Sequence, residues 1–280
     1  MTVGRSTPAG AGAGAAGGRV SGDLDGRVAV VTGASRGIGV AIARTLVAQG
    51  AHVIAGARRT SAELTDLTDA GGVEFVAVDL AGADAAEPLL AAALAHGGVD
   101  ILVNNVGAVT PRPEGFLSVT DDQWLASLTL NLLAAVRVTR VVLPTMLAAR
   151  RGSIVTVGSV NAFLPDPAVI DYCAGKAALT NFSKALSKEV GGQGIRVNSV
   201  SPGPVATDLW LGSGGVAATI AAATGADPAA VAAQAAAGSV TGRFTRPEEV
   251  AELVAFLAGD RSANMTGTDV TIDGGLITTL

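Results

Sequence analysis

Cysteine, histidine and aromatic residues are scarce in this chain of 280 residues, which has one cysteine, two histidines and 3% aromatic residues. A single cysteine cannot form an internal disulfide, so we expect a cytoplasmic protein from a reducing compartment. No cysteines or histidines have the sequence spacing of metal ligands, which predicts a protein without a metal site. His52 and His96 fall at a predicted strand start and a predicted helix end, where neither is a good catalytic candidate.

Long apolar runs and blocks of like charge are also missing. Arg137 and Arg140 interrupt the most apolar helix candidate, and Pro228 interrupts an alanine-rich stretch, so we expect no membrane span. The formal net charge is −5 without any Lys/Arg block, which argues against nucleic acid as a partner. Residues 1–22 are rich in Gly and Ala and lack the apolar core of a secretion signal. We predict a flexible tail there, followed by one domain over residues 23–280.

Short runs rich in Val and Ile alternate with longer amphipathic stretches along the rest of the chain. These runs are VAVVTG, HVIAGA, EFVAVDL, ILVNNVG, SIVTVGS, IRVNSVSPG and DVTIDGG. Seven strands separated by helices predict an α/β fold, a doubly wound parallel sheet with helices on both faces. Folds of this kind bind ligands at the carboxyl ends of their strands.

A glycine-rich turn, TGASRGIG at Thr32–Gly39, follows the first predicted strand and precedes a helix predicted from Ile38 to Gln49. Glycines at such a turn let the backbone amides and the helix N-terminus approach a pyrophosphate. The turn therefore predicts dinucleotide binding. A loop that needs glycine only for its backbone conformation would not explain why three glycines coincide with the helix start.

The second predicted strand ends in Gly56-Ala57-Arg58-Arg59, without the acidic residue that usually binds the ribose 2'-hydroxyl of NAD. Arg58, together with Arg36 in the glycine turn, is suited to neutralise a 2'-phosphate. The sequence therefore favours NADP(H) over NAD(H). The alternative is that Arg58 and Arg59 are solvated loop charges.

Tyr172 and Lys176 stand one turn apart on a predicted helix, and Ser159 closes the fifth strand. Residues four apart share a helix face, so the lysine ammonium is expected to lie near the phenol and to lower its pKa. The three side chains offer a phenol, a cation and a hydroxyl to one carbonyl group, which predicts a reaction involving proton transfer.

Together with the NNVG run at Asn104–Gly107, with Asn131 and with Pro202–Gly203, these motifs resemble the short-chain dehydrogenase/reductase family. The resemblance extends from about Gly26 to the end and is strongest to the NADPH-dependent 3-oxoacyl reductase-like branch. It implies a Rossmann fold, an oxidoreductase acting on a carbonyl or alcohol group, and a homotetramer.

The resemblance also implies roles for four catalytic residues. Tyr172 would be the general acid in reduction, and Ser159 would hydrogen-bond the substrate oxygen. Lys176 would hold the nicotinamide ribose and keep the phenol acidic. Asn131 would hold a water that connects Lys176 to solvent.

For the cofactor, the resemblance implies that Asp79 approaches the adenine, Asn104 and Gly107 the adenosine ribose, and Thr207 the nicotinamide carboxamide. Asp79 and Asn104 could instead cap loop amides, and Thr207 could start a helix. The full predicted NADP(H) set is Gly33, Ser35, Arg36, Gly37, Ile38, Gly39, Arg58, Asp79, Leu80, Asn104, Gly107, Tyr172, Lys176, Pro202, Gly203 and Thr207.

Residues 204–243 form a long segment rich in small residues, which predicts a mobile lid over the substrate. Phe163, Leu209 and Trp210 are candidate pocket walls, so we expect a medium-sized, largely apolar ketone or 3-oxoacyl substrate, free or thioester-linked. Two alternatives remain open. One is an NAD(P)-dependent dehydrogenase that works toward the ketone, and the other is an NADP(H)-sensing protein without turnover.

Overall fold

The computed structural model describes residues 23–279. The predicted tail at residues 1–22 lies outside this range. Seven parallel strands form one sheet in the order β3-β2-β1-β4-β5-β6-β7, which confirms the predicted doubly wound fold. The strands are β1 (Val28–Thr32), β2 (His52–Ala57), β3 (Val73–Ala77), β4 (Ile101–Asn104), β5 (Gly152–Val157), β6 (Ile195–Pro202) and β7 (Asp269–Ile272).

Helices cover both faces of this sheet, and side chains of β1 alternate between the two layers. Val31 packs with Leu46 and Val254 on one face, whereas Val30 packs with Leu89 and Val138 on the other. The helices are α1 (Gly37–Ala48), α2 (Ala62–Asp69), α3 (Glu87–Ala95), α4 (Asp121–Leu128), α5 (Ala134–Ala149), α6 (Ile170–Val190), α7 (Asp208–Leu211), α8 (Val216–Thr224), α9 (Pro228–Ala237) and α10 (Pro247–Ala258).

Several strands end before the motif that follows them. β4 stops at Asn104, although its apolar run was predicted to continue to Gly107, and Ser159 lies two residues beyond β5. The polar and glycine residues after these strands form turns, although single backbone hydrogen bonds to the neighbouring strand continue there, as from the Gly158 amide to the Val200 carbonyl. These turns place the candidate site residues just outside the carboxyl edge of the sheet.

Asn131 lies in a π-helical turn, Thr129–Leu133, that joins α4 to α5. Thr120 caps the start of α4 in a capping box with Gln123, as its sequence favours. A π-helical turn accommodates one extra residue within a helix and is frequent at functional sites. It turns the Asn131 side chain inward, where the residue is buried.

The helical stretch Asp121–Ala149 is long and apolar enough, by length and composition, to cross a membrane. Its arginines therefore do not exclude a span on composition alone, contrary to the expectation from the sequence. The bent pair Asp208–Thr224 and Pro228–Ala237 passes the same test only when taken together. Because α5 packs against β4 and β5, we interpret the longer stretch as a helix that covers the sheet.

The predicted lid, residues 204–243, contains α7, α8 and α9. Its two ends are held together, because the Ala206 amide donates to the Thr245 carbonyl at 2.9 Å and the Thr245 amide donates to the Pro204 carbonyl at 2.9 Å. The segment is therefore a long loop that leaves the sheet edge and returns to the same place.

The turn between β1 and α1 brings two backbone segments unusually close. Gly33 has a φ of 66°, in the left-handed region that favours glycine. At Gly39, an added Cβ would overlap the Gly33 carbonyl oxygen and would lie 2.6 Å from Asn105 Nδ2. Only glycine, which has no side chain, fits at position 39.

Gly39→Ala should therefore destabilise the protein even without any ligand. Overpacking of this kind costs about 1–3 kcal/mol, so we expect the free energy of unfolding to fall by that amount in urea titrations. Gly214→Ala is the matched control, because an added Cβ there has no neighbour within 4 Å. The control should stay within about 0.5 kcal/mol of wild type. Equal stability of the two variants would contradict the close approach.

Candidate active site

Ser159, Tyr172 and Lys176 come together at the carboxyl edge of the sheet. Lys176 Nζ lies 5.7 Å from the centroid of the Tyr172 ring, and Ser159 lies close enough to the phenol to influence its pKa. Ser159 is held by the turn after β5, where its Oγ accepts a hydrogen bond from the Asn161 amide at 3.2 Å. The phenol, hydroxyl and ammonium predicted from the sequence thus form one cluster.

Lys176 is buried, with only 3% of its surface exposed. Its Nζ donates a hydrogen bond to the Val157 carbonyl at the end of β5, at 2.9 Å. Burial lowers the pKa of Lys176 to about 8, because the ammonium loses hydration and gains no carboxylate partner. The lysine therefore remains mostly protonated at neutral pH.

The pKa of Tyr172 differs from the prediction. Burial raises it to about 12, and the neighbouring Ser159 offsets only part of that increase. The expectation that Lys176 lowers the phenol pKa is wrong for the protein alone, because desolvation is the largest influence on the phenol and the ammonium donates to the Val157 carbonyl. At neutral pH Tyr172 is a protonated phenol.

Asn131 and Gly107 complete the wall beside the lysine. Asn131 Oδ1 accepts from the Ala108 amide at 3.1 Å, and its Nδ2 donates to the Ala108 carbonyl at 2.9 Å. A Cβ added at Gly107 would lie 3.0 Å from Asn131 Oδ1 and 3.3 Å from Lys176 Nζ. The absence of a side chain at Gly107 therefore leaves room next to the lysine ammonium.

Two arginines border the glycine turn at the position predicted for a 2'-phosphate. Arg36 precedes α1 and Arg58 follows β2, and both are exposed. Within residues 23–279, neither guanidinium forms an ion pair or a side-chain hydrogen bond. Glycine-turn residues Ser35 and Ile38 are half-buried beside them. Two free cations next to a helix N-terminus suit an anionic ligand.

The other predicted adenosine contacts divide into exposed and buried groups. Asp79 is exposed, and its carboxylate accepts from the Ala81 amide at 3.1 Å, as the capping alternative anticipates. Leu80 is buried in the core. Asn104 is also buried and donates to Thr139 Oγ1 at 3.0 Å, so it does not cap a loop amide. Its Oδ1 has no partner among the described residues.

Thr207 lies directly above the glycine turn, because a Cβ added at Gly37 would be 3.1 Å from its Cγ2. Thr207 immediately precedes α7, as the helix-start alternative predicts. Its side chain, however, makes no capping hydrogen bond to that helix. Pro202 ends β6, and the Gly203 amide donates to the Ile272 carbonyl on β7. The segment after β6 thus passes over the turn after β1.

The candidate substrate residues present apolar surface near this edge. Phe163 is 47% exposed and Leu209 is 43% exposed. Trp210 packs against Phe244 with ring centroids 5.5 Å apart, which connects α7 to the end of the predicted lid. Exposed apolar groups at this edge of the sheet are suited to contact an apolar ligand.

Two groups that hold the site together have no signature in the sequence. Asn105 Nδ2 donates to the Thr32 carbonyl at 2.9 Å and to the Gly33 carbonyl at 3.2 Å. Arg112 Nη2 pairs with the buried Asp171 carboxylate at 2.7 Å, one residue before the tyrosine. Burial opposes ionisation of Asp171, but the Arg112 hydrogen bond lowers its pKa below the usual value. Partners 59 residues apart leave no local signal in the sequence.

Lys176→Met should stabilise the ligand-free protein at neutral pH. Because the folded-state pKa of about 8 is below the ordinary 10.5, the energetic cost of burying the ammonium is complete below pH 8. That cost decreases as the pH rises from 8 toward 10.5. One pKa unit corresponds to about 1.4 kcal/mol and the lost hydrogen bond offsets part of the gain, so we expect about 1–3 kcal/mol.

Urea unfolding of Lys176→Met and wild type, at neutral pH and near the upper end of that range, measures the difference. Lys184→Met is the control, because Lys184 lies on the same helix but is exposed. It should show no comparable gain. A Lys176→Met protein that is less stable than wild type at neutral pH would contradict a dominant cost of burial.

Comparisons with known proteins agree with this arrangement. The family model described as short chain dehydrogenase matches residues 27–215. The chain is 36% identical to a 3-oxoacyl-[acyl-carrier-protein] reductase of Salmonella typhimurium, over 90% of this chain and 98% of the relative. It is also 36% identical to a D-threitol dehydrogenase of Mycolicibacterium smegmatis, over 90% and 93%.

Two solved structures are similar throughout. L-sorbose reductase from Gluconobacter frateurii, complexed with NADPH and L-sorbose, has a TM-score of 0.84 and 34% identity, and the match covers 93% of this chain and 99% of that one. A 3-oxoacyl (acyl-carrier-protein) reductase from Agrobacterium tumefaciens with NADP bound has a TM-score of 0.80 and 34% identity, over 91% and 96%. The chain belongs to the short-chain dehydrogenase/reductase family.

Proposed function

We propose that this protein catalyses the NADPH-dependent reduction of a ketone or 3-oxoacyl group to an alcohol, with Tyr172 as general acid. The observation that carries the proposal is the cluster of Ser159, Tyr172 and Lys176 at the carboxyl edge of the sheet, with Lys176 Nζ 5.7 Å from the centroid of the tyrosine ring. A phenol beside a hydroxyl and an ammonium is suited to donate a proton to a carbonyl oxygen on which negative charge develops. Similarity to 3-oxoacyl reductases supports reduction over the alternative direction.

The residues at the glycine turn fit NADP(H). Arg36 and Arg58 are exposed cations without partners among the described residues, and no acidic residue ends β2. Gly33 and Gly39 keep the turn free of side chains where a pyrophosphate would approach the start of α1. When bound, the cofactor supplies a hydride to the carbonyl carbon. The structural relatives crystallised with NADPH or NADP support this choice.

The chain's own residues handle the oxygen and its proton. Ser159 donates a hydrogen bond to the substrate oxygen, where negative charge develops, and Tyr172 transfers its proton to that oxygen. Lys176 contributes a positive charge beside the phenol and would hold the nicotinamide ribose, and the absence of a side chain at Gly107 leaves room beside its ammonium.

Proton resupply involves Asn131 through its backbone. Both polar atoms of its side chain are already engaged by Ala108, and Nδ2 also donates to the Ser127 carbonyl at 3.1 Å. A π-helical turn disrupts the regular backbone hydrogen-bond ladder, which exposes carbonyl groups to other donors. The water that connects Lys176 with solvent is therefore held at the backbone of this turn.

An apolar carbonyl compound fits the exposed surfaces of Phe163, Leu209 and Trp210, and residues 204–243 act as the lid that closes over it. The 3-oxoacyl reductase relatives support a 3-oxoacyl substrate. Similarity to an L-sorbose reductase and a D-threitol dehydrogenase supports a second candidate, a polyhydroxylated ketone or its alcohol. Both candidates share the same reacting group.

We also propose a cytoplasmic homotetramer. Leu125 on α4 and Leu133 in the π-helical turn are 63% and 38% exposed, and α4 has no buried residue. Trp124 on this helix is only half-buried, and α4 packs against α6 rather than the sheet. An apolar helical face of this kind is suited to a two-fold contact with a second copy.

Tyr172→Phe should reduce turnover by about 10²- to 10⁴-fold, because it removes the proton donor and leaves the ring. NADPH consumption by wild type and variant is measured with 3-oxoacyl thioesters, quinones, cyclic ketones, steroids and ketoses. NADPH affinity, measured separately by fluorescence, should change little. Full activity of the variant would refute the role of Tyr172, and NADPH binding without turnover of any compound would favour an NADP(H)-sensing protein.

Arg58→Asp should shift the cofactor preference from NADPH toward NADH. A hydrogen bond to a charged group contributes about 1.5–3 kcal/mol, so the ratio of kcat/KM values should change by about 10- to 100-fold. Arg140→Asp, an exposed arginine on α5, controls for net charge. An equal shift in both variants, or none in either, would show that Arg58 does not contact the 2'-phosphate.

A further inference from the structure

Three residues that could ligate a metal meet on the opposite side of the molecule from the active-site cluster. His52 is the first residue of β2, Glu74 lies near the start of β3, and His96 follows the last residue of α3. These positions are at the amino-terminal ends of the strands, whereas Tyr172 and the glycine turn lie at the carboxyl ends. The group, named the His-Glu-His cluster below, is therefore separate from the catalytic residues.

The ligand atoms of this cluster are already close together. One atom from each side chain lies within 4.8 Å of the other two. His96 Nε2 is 3.0 Å from Glu74 Oε2, and the two imidazole rings are stacked with centroids 3.8 Å apart. Ligands around a tetrahedral Zn²⁺ at about 2.0–2.1 Å would be roughly 3.3 Å apart. Glu74 and His96 are 43% and 36% exposed, so both side chains have room to reorient, as the stacked imidazoles must for their nitrogens to face one ion.

A buried nitrogen atom without a hydrogen-bond partner supports the use of these side chains as metal ligands. His52 Nε2 is buried and has no hydrogen-bond partner among the described residues. Buried polar atoms are rarely left unpaired, because desolvation without a partner is costly. The hydrogen bond between His96 and Glu74 satisfies those two side chains but gives His52 no partner. A cation bound by all three residues would give it one.

We propose that the His-Glu-His cluster binds one Zn²⁺ ion, with His52, Glu74 and His96 as ligands and water in the remaining position. Two imidazoles and one carboxylate are a donor set that zinc accepts readily. The ion would join the end of α3 to the β2–β3 side of the sheet. Its role would be structural, because nothing in the proton-transfer cluster touches these residues.

This site was hidden at the level of the sequence. Glu74 is 22 residues from His96, so the three ligands do not form a short motif. They become neighbours only because β2 and β3 pair in parallel, with Ile54 opposite Glu74, while α3 packs on both strands. The prediction of no metal site relied on sequence spacing, which carries no information about ligands supplied by separate elements.

Zinc titration of tag-free protein, after removal of metal with a chelator, tests the proposal. Calorimetry should show one Zn²⁺ per chain for wild type, and His52→Gln, Glu74→Gln and His96→Gln should each weaken binding at least about tenfold. Glu63→Gln is the matched control, because Glu63 is an exposed carboxylate on neighbouring α2 that pairs with Arg44. It should bind zinc as wild type does.

Two further readouts separate this site from the catalytic one. Zinc should raise the melting temperature of wild type and of Glu63→Gln, but not that of His96→Gln, because only a ligand that binds the folded state stabilises it. NADPH consumption by His96→Gln should equal that of wild type. Absence of zinc binding at micromolar concentrations, or equal binding by wild type and both histidine variants, would overturn the proposal whether or not the enzyme reduces carbonyl compounds.

Discussion

The junction between β1 and β4 holds the catalytic and cofactor regions in one frame. Thr32 Oγ1 accepts hydrogen bonds from the Asn105 and Val106 amides at 2.9 and 3.1 Å, and the Asn105 side chain returns to the Thr32 and Gly33 carbonyls. The sheet reverses its strand order at this junction, so a crevice opens there. Gly39 permits the close approach, and Gly107 follows two residues after Asn105, beside Lys176.

Around this frame the protein buries polar groups at a cost to its folding stability. Lys176 is buried without a carboxylate, and Tyr172 is buried where its ionised form is strongly disfavoured. The ion pair of Arg112 and Asp171 fixes the start of α6, the helix that carries Tyr172 and Lys176. A site can remain ready for proton transfer only if neighbouring packing tolerates the cost of keeping such groups dry.

The sequence was sufficient for features that depend on local order. Apolar runs gave all seven strands, and the glycine turn and Tyr172 fell at the predicted edge, because strand direction and helix spacing fix them. The raised phenol pKa could not be anticipated, since it depends on burial in three dimensions. Asn105 and Asp171 also escaped notice, because their partners are distant in the chain.

The π-helical turn Thr129–Leu133 makes the position of Asn131 depend on chain length as well as residue identity. Removing one residue would restore a regular helix, and everything on one side of the deletion would rotate by about 100° and move by about 1.5 Å. Asn131 would lose its alignment with Ala108, or α5 would lose its register on the sheet. A single-codon deletion within this helix would therefore disrupt either the site or the core.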